Sequence, residues 1–326
     1  MSNKPTGIFP DKRQFTFVAF MACATLAQTV LAAPVVNSLS DPGEDGCDEV
    51  ECTLREAIAV ASPGDEITFD ASLSGDMITL IEVLDIGGNV TITGPDISID
   101  ARNVASYAIL VDDAEADVTL SGLTILGKGI ANDGQSVSLE GVRVAVTSGT
   151  AVGNYAGGTM TIVDSTISGG NATNGGGVSN ISGNLTVLNS TIHDNVVNPT
   201  NGSGRGGGFY QSETQTPAST SMINVTFSNN VAKTAGGGMW VEGGTVEVIN
   251  STITDNLVIT GDGGGVAVNN SPAVSLKNSI VAGNTASDTD SADCSNRSTD
   301  PVSNGNNVFG LGTGCPTGDT TDIDVE

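Results

Sequence analysis

A repeat of about thirty residues dominates the second half of the chain. Each copy joins a segment such as Asn250–Asn256, which reads Asn-Ser-Thr-Ile-Thr-Asp-Asn, to a glycine triplet. The triplets begin at Gly175, Gly206, Gly236 and Gly263, so they lie 31, 30 and 27 residues apart. A period of this length is typical of solenoid proteins, in which each repeat is one supersecondary unit stacked on the next.

Alternation of apolar and polar residues within each repeat indicates strands that are buried on one face. Val246, Val248 and Ile253 alternate with polar neighbours, and no segment inside the repeats has helical spacing. Short strands broken by Asn and Gly at fixed offsets are typical of a coil of parallel strands, each paired with its equivalents above and below. We therefore predict an all-β fold, a single-stranded right-handed parallel β-helix, rather than an antiparallel sandwich.

One asparagine position recurs after the second strand of each repeat. Side-chain amides that stack from coil to coil can hydrogen-bond to one another along the axis. The position therefore predicts a ladder of inward-facing asparagines. Its members are Asn195, Asn230, Asn256 and Asn284.

Two segments resemble known protein families. Phe227–Asn230 followed by Gly236–Met239 resembles the paired FxxN and GGA repeats of the chlamydial polymorphic outer-membrane proteins, with Gly in place of Ala. This likeness covers roughly residues 160 to 285. Cys52–Ile58 resembles the Cys-Ser-Leu-Arg-Glu-Ala motif of a family of secreted bacterial β-helix proteins. Both resemblances imply a secreted β-helix of the pectin-lyase-like type, and they leave the activity open.

The first residues have the pattern of a secretory signal peptide. Lys4, Lys12 and Arg13 precede an apolar run over Phe15–Leu31 that ends in small or apolar residues. We interpret residues 1–32 as a cleaved signal peptide, with an uncleaved membrane anchor as the alternative.

The remaining chain is predicted to be one domain with distinct end regions. We assign residues 33–64 to an acidic loop and a capping helix, 65–285 to the parallel β-helix, and 286–326 to a disulfide-bearing tail. Thr53 and Glu56 form a capping box that begins a short amphipathic helix ending at Ala61. Because a solenoid must cover its open apolar end, we predict that this helix lies over the first coil and that Arg55 and Glu56 have structural roles.

Four cysteines follow the predicted signal peptide. Cys47 and Cys52 flank an acidic loop, and Cys294 and Cys315 flank part of the tail. We predict two local disulfides, Cys47–Cys52 and Cys294–Cys315, formed in an oxidising compartment. A zinc site is the alternative, but the chain has one histidine and lacks close Cys-x-x-Cys spacing.

The chain is strongly acidic, with 37 Asp and Glu against 11 Lys and Arg and a formal net charge of −26. This charge disfavours nucleic acid, anionic membranes and polyanionic glycans as partners, although a saline habitat would explain it without any ligand. Acidic runs at Asp41–Glu51 and Asp288–Asp293 offer oxygen ligands for calcium, but neither has EF-hand spacing. We therefore predict no metal site and no cofactor, and leave calcium binding open.

Catalytic residues are hard to find in this sequence. Asp194 and Asp255 occupy equivalent positions two coils apart, roughly 10 Å by strand spacing, and His193 is adjacent to the first. These three residues are our candidates for a hydrolase site, although Asn229 holds the position between the two aspartates and Asp is common in turns. The compact motifs expected of a polygalacturonase-like or pectate-lyase-like site are absent from the sequence.

Two aromatic residues follow consecutive glycine triplets. Tyr210 and Trp240 are each the second residue after a triplet, so they are predicted to face outwards on adjacent coils. Exposed rings of this kind stack on sugars or anchor protein contacts. We predict a secreted, monomeric β-helix that binds a glycan or a cell-surface protein without catalysis. The alternative is a polysaccharide lyase or glycoside hydrolase of the same fold.

Overall fold

A computed structural model describes most of the chain after the predicted signal peptide. The described residues are 33–41, 46–113, 116–198, 200, 202–214, 216–270, 273–298, 300–310, 312–317 and 319–325. The predicted signal peptide, residues 1–32, lies outside them. Within these ranges no helix is long and apolar enough to cross a bilayer.

Short strands make up nearly all the regular structure of the described residues. They are joined by one α-helix, α1 (Leu54–Val60), and two 3-10 helices (Ala71–Leu73 and Thr289–Ser291). The strands are β1 (Val35–Val36), β2 (Asp65–Phe69), β3 (Met77–Thr79), β4 (Leu84–Asp85), β5 (Val90–Asp100), β6 (Ile109–Val111), β7 (Asp117–Gly127), β8 (Ile130–Asp133), β9 (Ser136–Glu140), β10 (Arg143–Val146), β11 (Val152–Tyr155), β12 (Thr159–Val163), β13 (Thr166–Ser168), β14 (Val178–Ile181), β15 (Asn184–Leu188), β16 (Thr191–His193), β17 (Val196–Val197), β18 (Phe209–Ser212), β19 (Ser219–Ile223), β20 (Thr226–Ser228), β21 (Val231–Ala232), β22 (Met239–Glu242), β23 (Thr245–Ile249), β24 (Thr252–Thr254), β25 (Leu257–Val258), β26 (Val266–Val268), β27 (Ala273–Lys277), β28 (Ile280–Val281), β29 (Thr285–Ala286), β30 (Cys294–Asn296), β31 (Val302–Ser303), β32 (Val308–Phe309) and β33 (Ile323–Asp324).

The described strands form three parallel sheets that run along the axis of the β-helix. We call them the long sheet, with twenty strands, the middle sheet, with nine, and the short sheet, with four. The middle sheet contains β4, β6, β8, β11, β14, β18, β22, β26 and β30; the short sheet contains β17, β21, β25 and β29; the other strands form the long sheet. Each strand pairs in parallel with the equivalent strand of the next coil, as β15, β19 and β23 do. The prediction of a parallel β-helix is confirmed.

The predicted asparagine ladder is present inside the coils. Asn195 Nδ2 donates to Asn230 Oδ1 at 2.9 Å, Asn230 to Asn256 at 2.9 Å, and Asn256 to Asn284 at 2.9 Å. The ladder ends on the buried carboxylate of Asp293, which accepts from the Asn284 side chain at 2.8 Å. All four asparagines are buried, so their amides are satisfied by each other and by backbone carbonyls rather than by water.

A second ladder of buried side-chain amides runs along the middle sheet. It was not predicted from the sequence. Asn132 donates to Asn154 at 2.9 Å, Asn154 to Asn180 at 3.0 Å, and Asn180 to Gln211 at 3.2 Å. The equivalent position in the next coil is Val241, where the ladder stops. These amides hold the turns that lead from the middle sheet into the long sheet, because Asn154 and Asn180 also bond backbone carbonyls there.

Helix α1 begins at the predicted capping box. Thr53 Oγ1 accepts from the Glu56 backbone N–H, and the Glu56 carboxylate accepts from the Thr53 backbone N–H at 2.8 Å. Leu54 and Ala57 are buried in the same apolar cluster as the first coils, as predicted for a cap. Arg55 binds Asp41 through two hydrogen bonds of 2.8 and 2.9 Å and also donates to the Val83 carbonyl, so its role here is structural.

The coil continues beyond residue 285, where we predicted the β-helix to end. Cys294–Asn296 extends the middle sheet and Val308–Phe309 extends the long sheet, so part of the predicted tail completes a further coil. The physical reason is that Val308 and Phe309 repeat the alternation of the earlier strands, with Phe309 buried in the core. Both predicted disulfides, Cys47–Cys52 and Cys294–Cys315, are formed.

Candidate functional site

Tyr210 and Trp240 lie side by side on the middle sheet, in register on adjacent coils as predicted. The expected exposure of the pair is wrong. Trp240 has 0% of its surface accessible, and Tyr210 is only partly exposed. Burial raises the pKa of the Tyr210 hydroxyl above its ordinary value. Both rings do face away from the coil interior, but they form a second small apolar cluster with Ala235 and Ala267.

The glycine triplet explains why the Trp240 ring is covered. Gly236 has a φ of 65°, a left-handed conformation in which the chain turns back over the strand that follows. A Cβ atom at Gly236 would lie 2.8 Å from the Trp240 Cβ, so a residue with a side chain would clash there. Ala235, the residue before this triplet, packs against the Trp240 ring.

Two arginines complete the cover over Trp240. The guanidinium carbon of Arg205 lies 4.5 Å from the ring centroid and that of Arg297 lies 5.2 Å from it. The Glu242 carboxylate accepts from the indole Nε1–H at 3.3 Å and pairs with Arg205 at 3.4 Å. A guanidinium group over an aromatic ring is attracted to it by a cation–π interaction, so the two arginines pack on the ring and exclude solvent from it. The cluster is a packed, internally hydrogen-bonded unit, which leaves no open ring face on Trp240.

His193 is the last residue of β16. Asp194 follows it, and Asp255 directly follows β24 at the equivalent corner. The His193 imidazole Nδ1 and the Asp194 carboxylate are 2.7 Å apart, and both side chains are partly or largely exposed. Asp194 and Asp255 have φ values of 53° and 56°, a conformation that Asp, Asn and Gly tolerate in turns. Asn229 and Gly283 hold the same position in other coils with the same conformation, so turn geometry accounts for the two aspartates.

An elongated cleft of about 570 Å³ lies on the outer face of the long sheet, away from all of these residues. We call it the hydroxyl groove. It follows one strand per coil from Thr159 to Val302, and five strand spacings of about 4.8 Å give it a length of about 24 Å. Its lining residues are Thr159, Asn184, Leu185, Thr186, Ser219, Thr220, Ser221, Thr245, Val246, Glu247, Ala273, Val274, Ser275 and Val302.

Most of the outward side chains of the hydroxyl groove are polar, while Ala273 and Val302 at one end are exposed apolar residues. Alternation places Thr186, Ser221, Glu247 and Ser275 outwards on consecutive coils, while Val246 and its equivalents point into the core. Among the contacts of the described residues, the side chains of these four make no hydrogen bond within the protein. They are therefore available to a ligand. Among the described residues of the lining there is no aromatic and no basic side chain, and Glu247 is the one charged member.

Sequence reasoning missed the hydroxyl groove because single Thr and Ser residues on the outer face of a strand are ordinary. The signal was the recurrence of a small hydroxyl residue at the third position of equivalent strands, as in Thr161, Thr186, Ser221 and Ser275.

The acidic runs form no group of three or more His, Cys, Asp or Glu that could hold a metal ion within the described ranges. Glu44 and Asp45 lie outside those ranges.

Comparison with known proteins supports the fold. No family model and no curated protein matches the chain. Among solved structures, the crystal structure of pectate lyase Pel9A superposes with a TM-score of 0.52 over 89% of this chain and 78% of that chain, at 11% sequence identity. The chain is a right-handed parallel β-helix. At this identity the likeness is one of fold, and the site must be judged from its own residues.

Proposed function

We propose that the protein is a secreted or cell-surface β-helix that binds a glycan chain in the hydroxyl groove without catalysing a reaction on it. The observation that carries this proposal is the groove itself. It is about 24 Å long, and the hydroxyl groups of Thr186, Ser221 and Ser275 in its lining have no hydrogen-bond partner within the described part of the protein. A long, shallow groove with a single charge among its described residues suits an extended chain of sugar hydroxyls better than a compact small molecule.

The residues of the hydroxyl groove support binding rather than catalysis. Hydrolysis needs two carboxylates, and eliminative cleavage needs a base beside a charged clamp. Within the described part of the chain, the groove contributes the single carboxylate of Glu247 and no Lys or Arg. His193, Asp194 and Asp255 do not line it.

Export of the protein is supported by its disulfides and by its resemblances. Cys47–Cys52 and Cys294–Cys315 are both formed, and disulfides persist mainly in oxidising compartments. The resemblance of Cys52–Ile58 to a motif of secreted β-helix proteins agrees with this location.

The experiment that tests the proposal separates binding from cleavage. Purified protein is run in affinity gels that contain a panel of neutral, basic and acidic polysaccharides, and the same polysaccharides are assayed for new reducing or unsaturated ends. We expect retarded migration on at least one polysaccharide with no new chain ends. Release of chain ends would favour the alternative, a carbohydrate-active enzyme, and unretarded migration throughout the panel would refute glycan binding.

A further inference from the structure

The described lining of the hydroxyl groove has one charged side chain, and its position bears on which glycans the groove accepts. Glu247 is exposed near the centre of the lining, between Ser221 and Ser275 of the adjacent coils. A carboxylate within a row of hydroxyl side chains is unlike the rest of the groove, where every other polar lining residue is Thr, Ser or Asn.

The Glu247 carboxylate has no cationic partner among the described residues. No Lys, Arg or His nitrogen approaches it within ion-pair distance. Lys277 is the nearest basic residue by register, since it pairs with Ile249 on the adjacent strand, but it does not line the groove. The carboxylate is therefore free to accept hydrogen bonds from a ligand.

The surroundings of Glu247 disfavour an anionic ligand. The chain carries a formal net charge of −26, and no Lys or Arg among the described lining residues offsets the charge of Glu247. A polyuronate bound here would place carboxylates against a carboxylate. An ammonium group in the same place would form a charge-assisted hydrogen bond, which is about twice as strong as a neutral one.

We infer that the hydroxyl groove selects amine-bearing glycans, such as polymers of glucosamine, and that Glu247 is the specificity-determining residue. The inference rests on the proposed function, because it assumes that a glycan occupies the groove. Sugar hydroxyls would bond to Thr186, Ser221 and Ser275, and one sugar ammonium would donate to the Glu247 carboxylate. The substrate of the pectate lyase with the same fold is therefore a poor guide to the ligand of this chain.

The test compares two oligosaccharides of equal length, glucosamine oligomer and N-acetylglucosamine oligomer, by isothermal titration calorimetry at a pH where the amine is charged and at physiological ionic strength. We expect wild-type protein to bind the amine form about tenfold more tightly, as one charge-assisted hydrogen bond implies. Glu247→Gln should lose most of this preference. Glu140→Gln removes one charge from the same sheet outside the groove and should keep the preference.

Each outcome separates this inference from the function on which it rests. If Glu247→Gln and Glu140→Gln both retain the preference, the amine is attracted by the overall negative charge and Glu247 is not the determinant. If wild-type protein binds the acetylated oligomer as tightly as the amine form, the inference is wrong while glycan binding stands. If neither these oligomers nor any polysaccharide of the panel binds, the proposed function fails together with the inference.

Discussion

The Arg205 guanidinium lies over the face of the Trp240 ring, with its central carbon 4.5 Å from the ring centroid. Arg297 lies 5.2 Å from the same centroid, and Glu242 accepts from the indole N–H. A ring that a sequence pattern places on the outside of a solenoid is therefore sealed by residues from neighbouring coils. Because this contact covers the ring, Trp240 has a structural role. The candidate binding surface is the hydroxyl groove on the long sheet.

The first prediction concerns this seal. Trp240 is the one tryptophan in the chain, so its fluorescence reports a single site. We expect weak quenching by acrylamide in wild-type protein and clearly stronger quenching in Arg297→Ala, because one face of the ring is then uncovered. Arg143→Ala, an exposed arginine on the long sheet, is the control and should leave quenching unchanged. Strong quenching of the wild type would show that the ring is open to solvent.

The asparagine ladder leads to the second prediction. Replacing Asn230 by Leu removes one side-chain hydrogen bond from each of the buried amides of Asn195 and Asn256. We expect a loss of about 1–3 kcal/mol in the free energy of unfolding, measured by denaturant titration. Asn229→Gly is the matched control at the adjacent exposed residue, because its φ of 54° suits glycine and Gly283 holds the same position in a later coil. Equal losses in the two variants would contradict the inward register of Asn230.

Two disulfides of different loop length allow a third prediction. Cys294 and Cys315 are 21 residues apart, whereas Cys47 and Cys52 are 5 apart. Loop-closure entropy predicts that replacing the first pair by serines costs about 3 kcal/mol and the second about 2 kcal/mol. Thermal unfolding of both double variants under oxidising conditions measures the difference. A larger loss from the shorter loop would show that local packing, rather than chain entropy, sets the contribution of each disulfide.

The fourth prediction is a pH dependence. The hydrogen bonds from the Arg102 side chain hold the pKa of the Asp100 carboxyl below its ordinary value of 3.8. A depressed pKa stabilises the folded protein above the ordinary value, and this contribution is lost as the pH falls through the folded pKa. Asp100→Asn should therefore be less stable than wild type at neutral pH, and the difference in melting temperature should shrink below about pH 4.

The control for that series is Asp117→Asn, an exposed carboxylate on the same strand system of the long sheet, which removes the same charge. Both variants remove one negative charge, so the general effect of charge repulsion in an acidic protein is the same in each and drops out of the comparison. If the difference in melting temperature between wild type and Asp100→Asn stays constant across the acid range, the contact with Arg102 is not its cause.

The fold was predictable because its signals are repeated along the chain. The positions of Asn195, Asn230, Asn256 and Asn284 recur with the period of the coil, and one register satisfies all four. The capping box at Thr53 is likewise a local pattern with one structural meaning. A boundary at residue 285 was wrong because the last coil, which includes Phe309, carries the strand alternation without the glycine triplet.

The candidate site was less predictable because it depends on contacts between distant parts of the chain. The exposure of Trp240 is decided by Arg205 and Arg297, which are 35 and 57 residues away in sequence and come close only when the coils stack. The hydroxyl groove is formed by side chains that are individually unremarkable, such as Ser221 and Ser275. Alternation fixes which face a residue occupies, but it does not reveal whether a loop covers that face.

The most direct test of the central claim is affinity electrophoresis of a variant in which a bulky side chain blocks the hydroxyl groove. Ser221→Trp places a bulky ring in the middle of the groove at an outward position, so it should leave the fold intact. Thr119→Trp makes the same change at an outward position of the long sheet outside the groove. With unchanged circular dichroism, we predict that Ser221→Trp loses retention in affinity electrophoresis while Thr119→Trp keeps it. Equal retention of the two variants would contradict glycan binding in this groove.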